Sequence, residues 1–186
     1  TASNNTGIGY QVLAVNTTGT KNVAVGANAL DANTTADENT AVGYDVLTAN
    51  TTGASNVAIG AYALDANTTA SYNVAVGNAS LGANTTGTQN VAVGYAALRD
   101  NNSSYNTAVG YYALQLNTGT VNSAFGNYAL QSNTTGGNNV AVGSNALQNN
   151  TTASGNTALG RSALLANSTG ANNVAIGFQA LAANTT

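Results

Sequence analysis

Asn22-Val23-Ala24-Val25-Gly26-Ala27-Asn28-Ala29-Leu30-Asp31-Ala32-Asn33-Thr34-Thr35 is one unit of a repeat that fills the whole chain. The glycine recurs at Gly9, Gly26, Gly43, Gly60, Gly77, Gly94, Gly110, Gly126, Gly143, Gly160 and Gly177, in steps of 17 residues except for two of 16, from 94 to 110 and from 110 to 126. Strict self-similarity at such a period marks a solenoid, in which one coil cannot bury a core alone and neighbours must stack on it. The sequence therefore predicts an all-β chain: a parallel β-solenoid of eleven coils, about 17 residues per coil, forming a single domain over residues 1–186.

Within a coil, Asn-Val-Ala-Val reads as a short strand, rich in β-branched residues and bounded by turn formers. Period-2 alternation puts Val23 and Val25 on one face and Ala24 on the other. Only the valine face carries large apolar groups, so it is expected to point inward, leaving a face of alanine outside. The x-Ala-Leu segment that follows is expected to form a second short strand, whose invariant leucine supplies the opposite wall of a thin core. Two asparagines recur in every coil. One lies at Asn16, Asn33, Asn50, Asn67 and Asn84 and their equivalents, the other at Asn22, Asn39, Asn56, Asn73 and Asn90 and their equivalents. Asparagine tolerates left-handed backbone and suits tight corners, and stacked amides can form ladders along the axis. The Asn-Thr-Thr stretch is expected to be the outer loop, because both short steps lose their residue near it, and loops tolerate deletion.

Composition narrows the function classes. Leu, Ile, Val and Phe total 35 of 186 residues, a level near that of disordered chains, but the net charge is only -3 and the apolar spacing is strict, which favours order. The three basic residues, Lys21, Arg99 and Arg161, are far apart in the sequence, so the basic footprint of a nucleic-acid binder is missing and no nucleic-acid partner is expected. No apolar run has the length of a membrane span, so no membrane insertion is expected. Histidine and cysteine are absent, which removes thiol and imidazole catalysis and zinc-type ligand sets, and the aspartates are not periodic. Catalytic, cofactor and metal residues are accordingly expected to be none, and an enzyme is not expected.

Three features remain as candidate sites. Asn16, Asn33, Asn50, Asn67, Asn84, Asn133, Asn150 and Asn167 each open an Asn-x-Ser/Thr sequence, the acceptor pattern for N-glycosylation. Ranks of threonine on an uncharged solenoid suit ice binding, although adjacent threonines in a loop do not share one flat face as alternating strand residues would. Aromatic residues gather just after the glycine, at Tyr10, Tyr44, Tyr95, Tyr111, Tyr112 and Phe178, with Tyr62 and Tyr128 one residue on, where they could stack on sugars or on a second subunit.

Asn-Val-Ala-Val-Gly at 22–26, Asn-Val-Ala-Ile-Gly at 56–60 and 173–177, and Asn-Thr-Ala-Val-Gly at 39–43 and 106–110 resemble the head repeats of trimeric autotransporter adhesins. The motif covers every coil, and similar repeats resemble parts of phage tail fibres and large surface proteins. The resemblance implies left-handed parallel β-rolls, three chains to a head, on a bacterial surface. The coil is longer than in those heads, the Asn-Thr-Thr loop is extra, and nothing here has a heptad. Thin coils bury little per residue, so association is expected. The chain starts mid-repeat without a capping coil, which suggests a segment of a longer array or a subunit that stacks end to end. The expected function is a structural or adhesive fibre, extracellular, on a cell surface or virion. Its expected partners are copies of itself, as a homo-oligomer or filament, and host or environmental surfaces or glycans. A carbohydrate- or ice-binding solenoid is the alternative.

Overall fold

The computed structural model describes residues 1–186 and contains a parallel β-solenoid. Eleven three-residue strands stack in chain order: β1 (Thr6–Ile8), β2 (Val23–Val25), β3 (Thr40–Val42), β4 (Val57–Ile59), β5 (Val74–Val76), β6 (Val91–Val93), β7 (Thr107–Val109), β8 (Ser123–Phe125), β9 (Val140–Val142), β10 (Thr157–Leu159) and β11 (Val174–Ile176). Each pairs with the next in parallel, one repeat apart, and the register passes unbroken through both short steps: Val91 pairs with Thr107, and Thr107 with Ser123. At the usual strand spacing the rod is about 50 Å long.

Only 20 of the 118 backbone hydrogen bonds lie within the strands, so the coils are held together mainly by bonds between their turns. Gly26 N–H donates to Ile8 O and Asn28 N–H to Tyr10 O in the coil behind, whereas Leu30 N–H donates to Val46 O in the coil ahead, so each coil is bonded on both sides.

The strand faces are opposite to the expectation. Alanine points inward: Ala24, Ala41, Ala58, Ala75, Ala92, Ala108, Ala124, Ala141 and Ala158 are fully buried, whereas the flanking valines are partly or largely exposed. The leucine rank, as expected, fills the core from the opposite wall, and Leu30 through Leu164 are fully buried. A second small residue precedes most of these leucines, as at Ala29, Ala63 and Ala97. The interior is one leucine wide, so the facing strand can offer only a methyl group. A β-branched side chain there would overpack it.

The x-Ala-Leu segment is a run of turns and not a second strand. Its leucines adopt φ of 50° to 53° in every coil, and the residue two before each is also left-handed, for example Asn28 at 58°. A third left-handed residue precedes the strand asparagine, at Lys21, Glu38 and Ser55. Left-handed backbone costs a residue with a Cβ about 1–2 kcal/mol. The cost is tolerated because the turn swings the leucine into the core and its N–H onto the next coil. The asparagines of the two recurring ranks do not take the left-handed conformation, contrary to the corner role expected of them. The recurring glycine does require its conformation: φ is 125° at Gly26, and a Cβ there would run into the Gly43 carbonyl of the next coil.

Candidate functional site

Both asparagine ranks are internal ladders. The strand asparagine accepts the backbone N–H of its successor one coil on, from Asn22 N to Asn5 Oδ1 at 2.8 Å through Asn173 N to Asn156 Oδ1 at 2.9 Å. Its Nδ2 donates to a carbonyl of the following loop, as from Asn22 to Ala36 O at 2.8 Å. The loop asparagine donates to that same carbonyl, Asn33 Nδ2 to Ala36 O at 3.2 Å, and also to its predecessor, Asn16 Oδ1, at 3.0 Å. One carbonyl per coil is thus clamped by two amides, at Gly19, Ala36, Gly53, Ala70 and Gly87 among others. The geometry explains why asparagine stands at Asn50, Asn67, Asn84, Asn39, Asn56, Asn73 and Asn90. Each site needs a short side chain that both donates and accepts, and every one of these residues is fully buried.

That burial bears directly on the glycosylation pattern. Asn33, Asn50, Asn67, Asn84, Asn133, Asn150 and Asn167 are 0% exposed and their Nδ2 atoms are engaged, and Asn16 Nδ2 donates to Gly19 O. A glycan cannot be carried on these nitrogens while the coil is folded. The sequence pattern arises instead from the clamp followed by the threonine turn.

The threonines divide by position. The first of each pair donates its hydroxyl to the next coil, as from Thr51 Oγ1 to Thr68 O at 3.1 Å. The second, at Thr35, Thr52, Thr69, Thr86, Thr135, Thr152 and Thr169, is exposed. It is this second residue that the two short steps lack, and the clamp survives there on Ser103 O and Gly119 O.

The aromatic residues lie on the surface beside the corner glycine. Tyr10 is 69% exposed, Phe178 66% and Tyr44 49%. Tyr44 meets Tyr62 edge-on at 5.6 Å. Four rings form the larger group. Tyr95 and Tyr111 lie parallel at 5.4 Å, Tyr112 and Tyr128 lie parallel at 6.0 Å, and the two pairs stand at right angles. Tyr111 and Tyr112, neighbours in one coil, meet edge-on at 4.4 Å, and stacking of the coils adds Tyr95 on one side and Tyr128 on the other.

The charged residues do not gather. Lys21 pairs with Glu38 at 2.9 Å and Arg99 with Asp100 at 2.8 Å, both on the surface. Hydrogen bonds from Thr20 hold the Asp37 carboxyl below its usual range, whereas burial raises that of Asp65. No group of three acidic, histidine or cysteine residues comes together, and no helix is long and apolar enough to cross a membrane. No protein-family model, curated protein or solved structure matches the chain.

Proposed function

We propose that this chain is a structural or adhesive segment of an extracellular fibre, in which rods associate side by side through the outer face of the sheet. The supporting observation is the inverted strand. With alanine inside, the two ranks facing solvent are Val, Ile, Leu, Phe and a few Thr or Ser, and none is charged. In the interior coils Ile59 is 40% exposed, Phe125 41% and Leu159 45%. Two ranks over the length of the rod make an apolar stripe on the order of 500 Å², at the upper end for monomeric proteins. Two such stripes face to face bury about 1,000 Å² in total, the least that a specific interface needs. The adhesin-like motif accords with the same reading, and three chains around the stripe would form a head of that kind. A carbohydrate-binding role is the second reading, favoured by the tyrosine group.

Sedimentation velocity of the purified chain tests the proposal. The native chain is expected to associate, and Ile59→Asp with Leu159→Asp is expected to give monomers with unchanged circular dichroism. A native chain that stays monomeric at every concentration would refute it.

A further inference from the structure

The tyrosine group sits where the chain departs from its own repeat. Tyr95, Tyr111, Tyr112 and Tyr128 follow Gly94, Gly110 and Gly126, the three glycines that bound the two short steps. Beside them runs a second irregular rank. Gln148 Nε2 donates to Gln131 Oε1 at 3.1 Å, the amides of Gln131 and Gln115 lie 3.1 Å apart, and with its amide oxygen turned toward Arg99, Gln115 accepts from the guanidinium at 3.0 and 3.2 Å. Aromatic rings, amides and a guanidinium are thus collected on one stretch of three or four coils and are absent as a set elsewhere.

We propose that this cluster is a binding site for a neutral, extended oligosaccharide. A pyranose ring has apolar C–H faces and a rim of hydroxyls, so it needs aromatic surface with donors and acceptors at its margin. The two tyrosine pairs are perpendicular, so the group combines ring faces and ring edges, and Tyr95 and Tyr111 are its most exposed members. The 5.4 Å step from Tyr95 to Tyr111 is close to the length of one β-1,4-linked pyranose, so successive coils can meet successive sugars. The glutamine ladder supplies planar amides along the same direction, as donors and acceptors for hydroxyls.

Charge selects the ligand class further. Arg99 is neutralised by Asp100 through two hydrogen bonds of 2.9 and 2.8 Å, so the site offers no free charge to an anionic chain. A packing seam between copies would use a feature found in every coil, as the valine stripe is, whereas this cluster is local. The inference deepens the adhesive part of the proposed function and rests on it, but it does not require rods to associate.

Titration calorimetry with cellohexaose, chitohexaose and maltohexaose, with oligomeric alginate as the anionic comparison, tests it. At least one neutral hexasaccharide is expected to bind. Tyr111→Ala is expected to weaken it about tenfold, the scale of one lost aromatic contact, and Tyr72→Ala, a lone exposed tyrosine in a loop, to leave it unchanged. Gln131→Ala is expected to weaken binding without altering circular dichroism, which separates the site from the fold. No binding to any neutral chain, stronger binding to alginate, or equal loss in Tyr111→Ala and Tyr72→Ala would each overturn the proposal. Sedimentation of the same samples reports association separately, so a failure of the lateral contact leaves the sugar result readable.

Discussion

At the scale of the residue, the fold depends on which side chains are small. Ala108 is fully buried in the same core cluster as Leu98 and Leu114, while its neighbour Val109 is only partly covered. Ala108→Leu is therefore expected to destabilise by about 1–3 kcal/mol through overpacking, and Val109→Ala by less than 1 kcal/mol. Urea unfolding of the two variants measures the difference, and the reverse order would show that valine fills the core. Asparagine is the other constrained residue. Asn73 Oδ1 accepts Asn90 N–H at 3.0 Å and its Nδ2 donates to Gly87 O at 2.9 Å. Asn73→Ala leaves that N–H buried without a partner, an expected cost of about 1–3 kcal/mol. Asn73→Asp keeps the acceptor but turns a buried carboxylate toward the carbonyl. Its folded pKa is expected to lie above its unfolded value, so the variant should be least stable at neutral pH. Stability should return as pH falls through the carboxylate range. Thermal melting at two pH values separates this from a simple loss of packing, which would not depend on pH.

At the scale of the element, the coil has one position it can lose. Both short steps omit the exposed second threonine and keep the clamped carbonyl, and Asn102 Oδ1 accepts the N–H groups of Thr85 and Thr86 at 3.0 and 2.9 Å where the next threonine carbonyl would otherwise serve. Deleting Thr52 is expected to be tolerated, with only a small shift in melting temperature. Deleting Ala58 slips β4 by one residue and turns its apolar face over, so it is expected to unfold the neighbouring coils. Equal effects from the two deletions, read by circular dichroism melts, would contradict the division of the coil into loop and strand. This tolerance was legible in the sequence, as were the period, the parallel stack and the leucine wall, because the leucine and both asparagines recur in every coil and the two short steps change length only near the loop. The orientation of the strand was not legible. Hydrophobicity alone favours valine inside, and only the width of the cavity opposite Leu98 decides for Ala92 and Ala108. The turn at x-Ala-Leu was hidden for a related reason. Leucine carries no signal for left-handed backbone, and the conformation is imposed by the stacking of Leu30 N–H on Val46 O. The members of the aromatic group were legible, since Tyr95, Tyr111, Tyr112 and Tyr128 all follow a glycine by one or two residues, but their pairing into two perpendicular sets depends on side-chain packing between coils.

At the scale of the whole molecule, the rod is a one-dimensional stack. Each interior coil contributes one leucine, its small inner residues, a clamp and its inter-coil hydrogen bonds, and it touches only the coils on either side. Stability should then grow by a nearly constant increment for each interior coil added. Inserting a second copy of residues 56–89, two whole coils, between Gln89 and Asn90 keeps every rank in register, since Asn56 and Asn90 hold the same position. The longer rod is expected to unfold at a higher urea concentration and with a steeper dependence on urea, because more surface is exposed in one transition. A lower midpoint would show that coils are not interchangeable and that the irregular stretch from Gly94 to Gly126 sets the geometry of the rest. The valine stripe lengthens with the same insertion. If rods pair along it, the longer chain should also associate more tightly in sedimentation. If the midpoint rises while association does not change, the stripe is a solvent face and the coils are held by their own ladders alone.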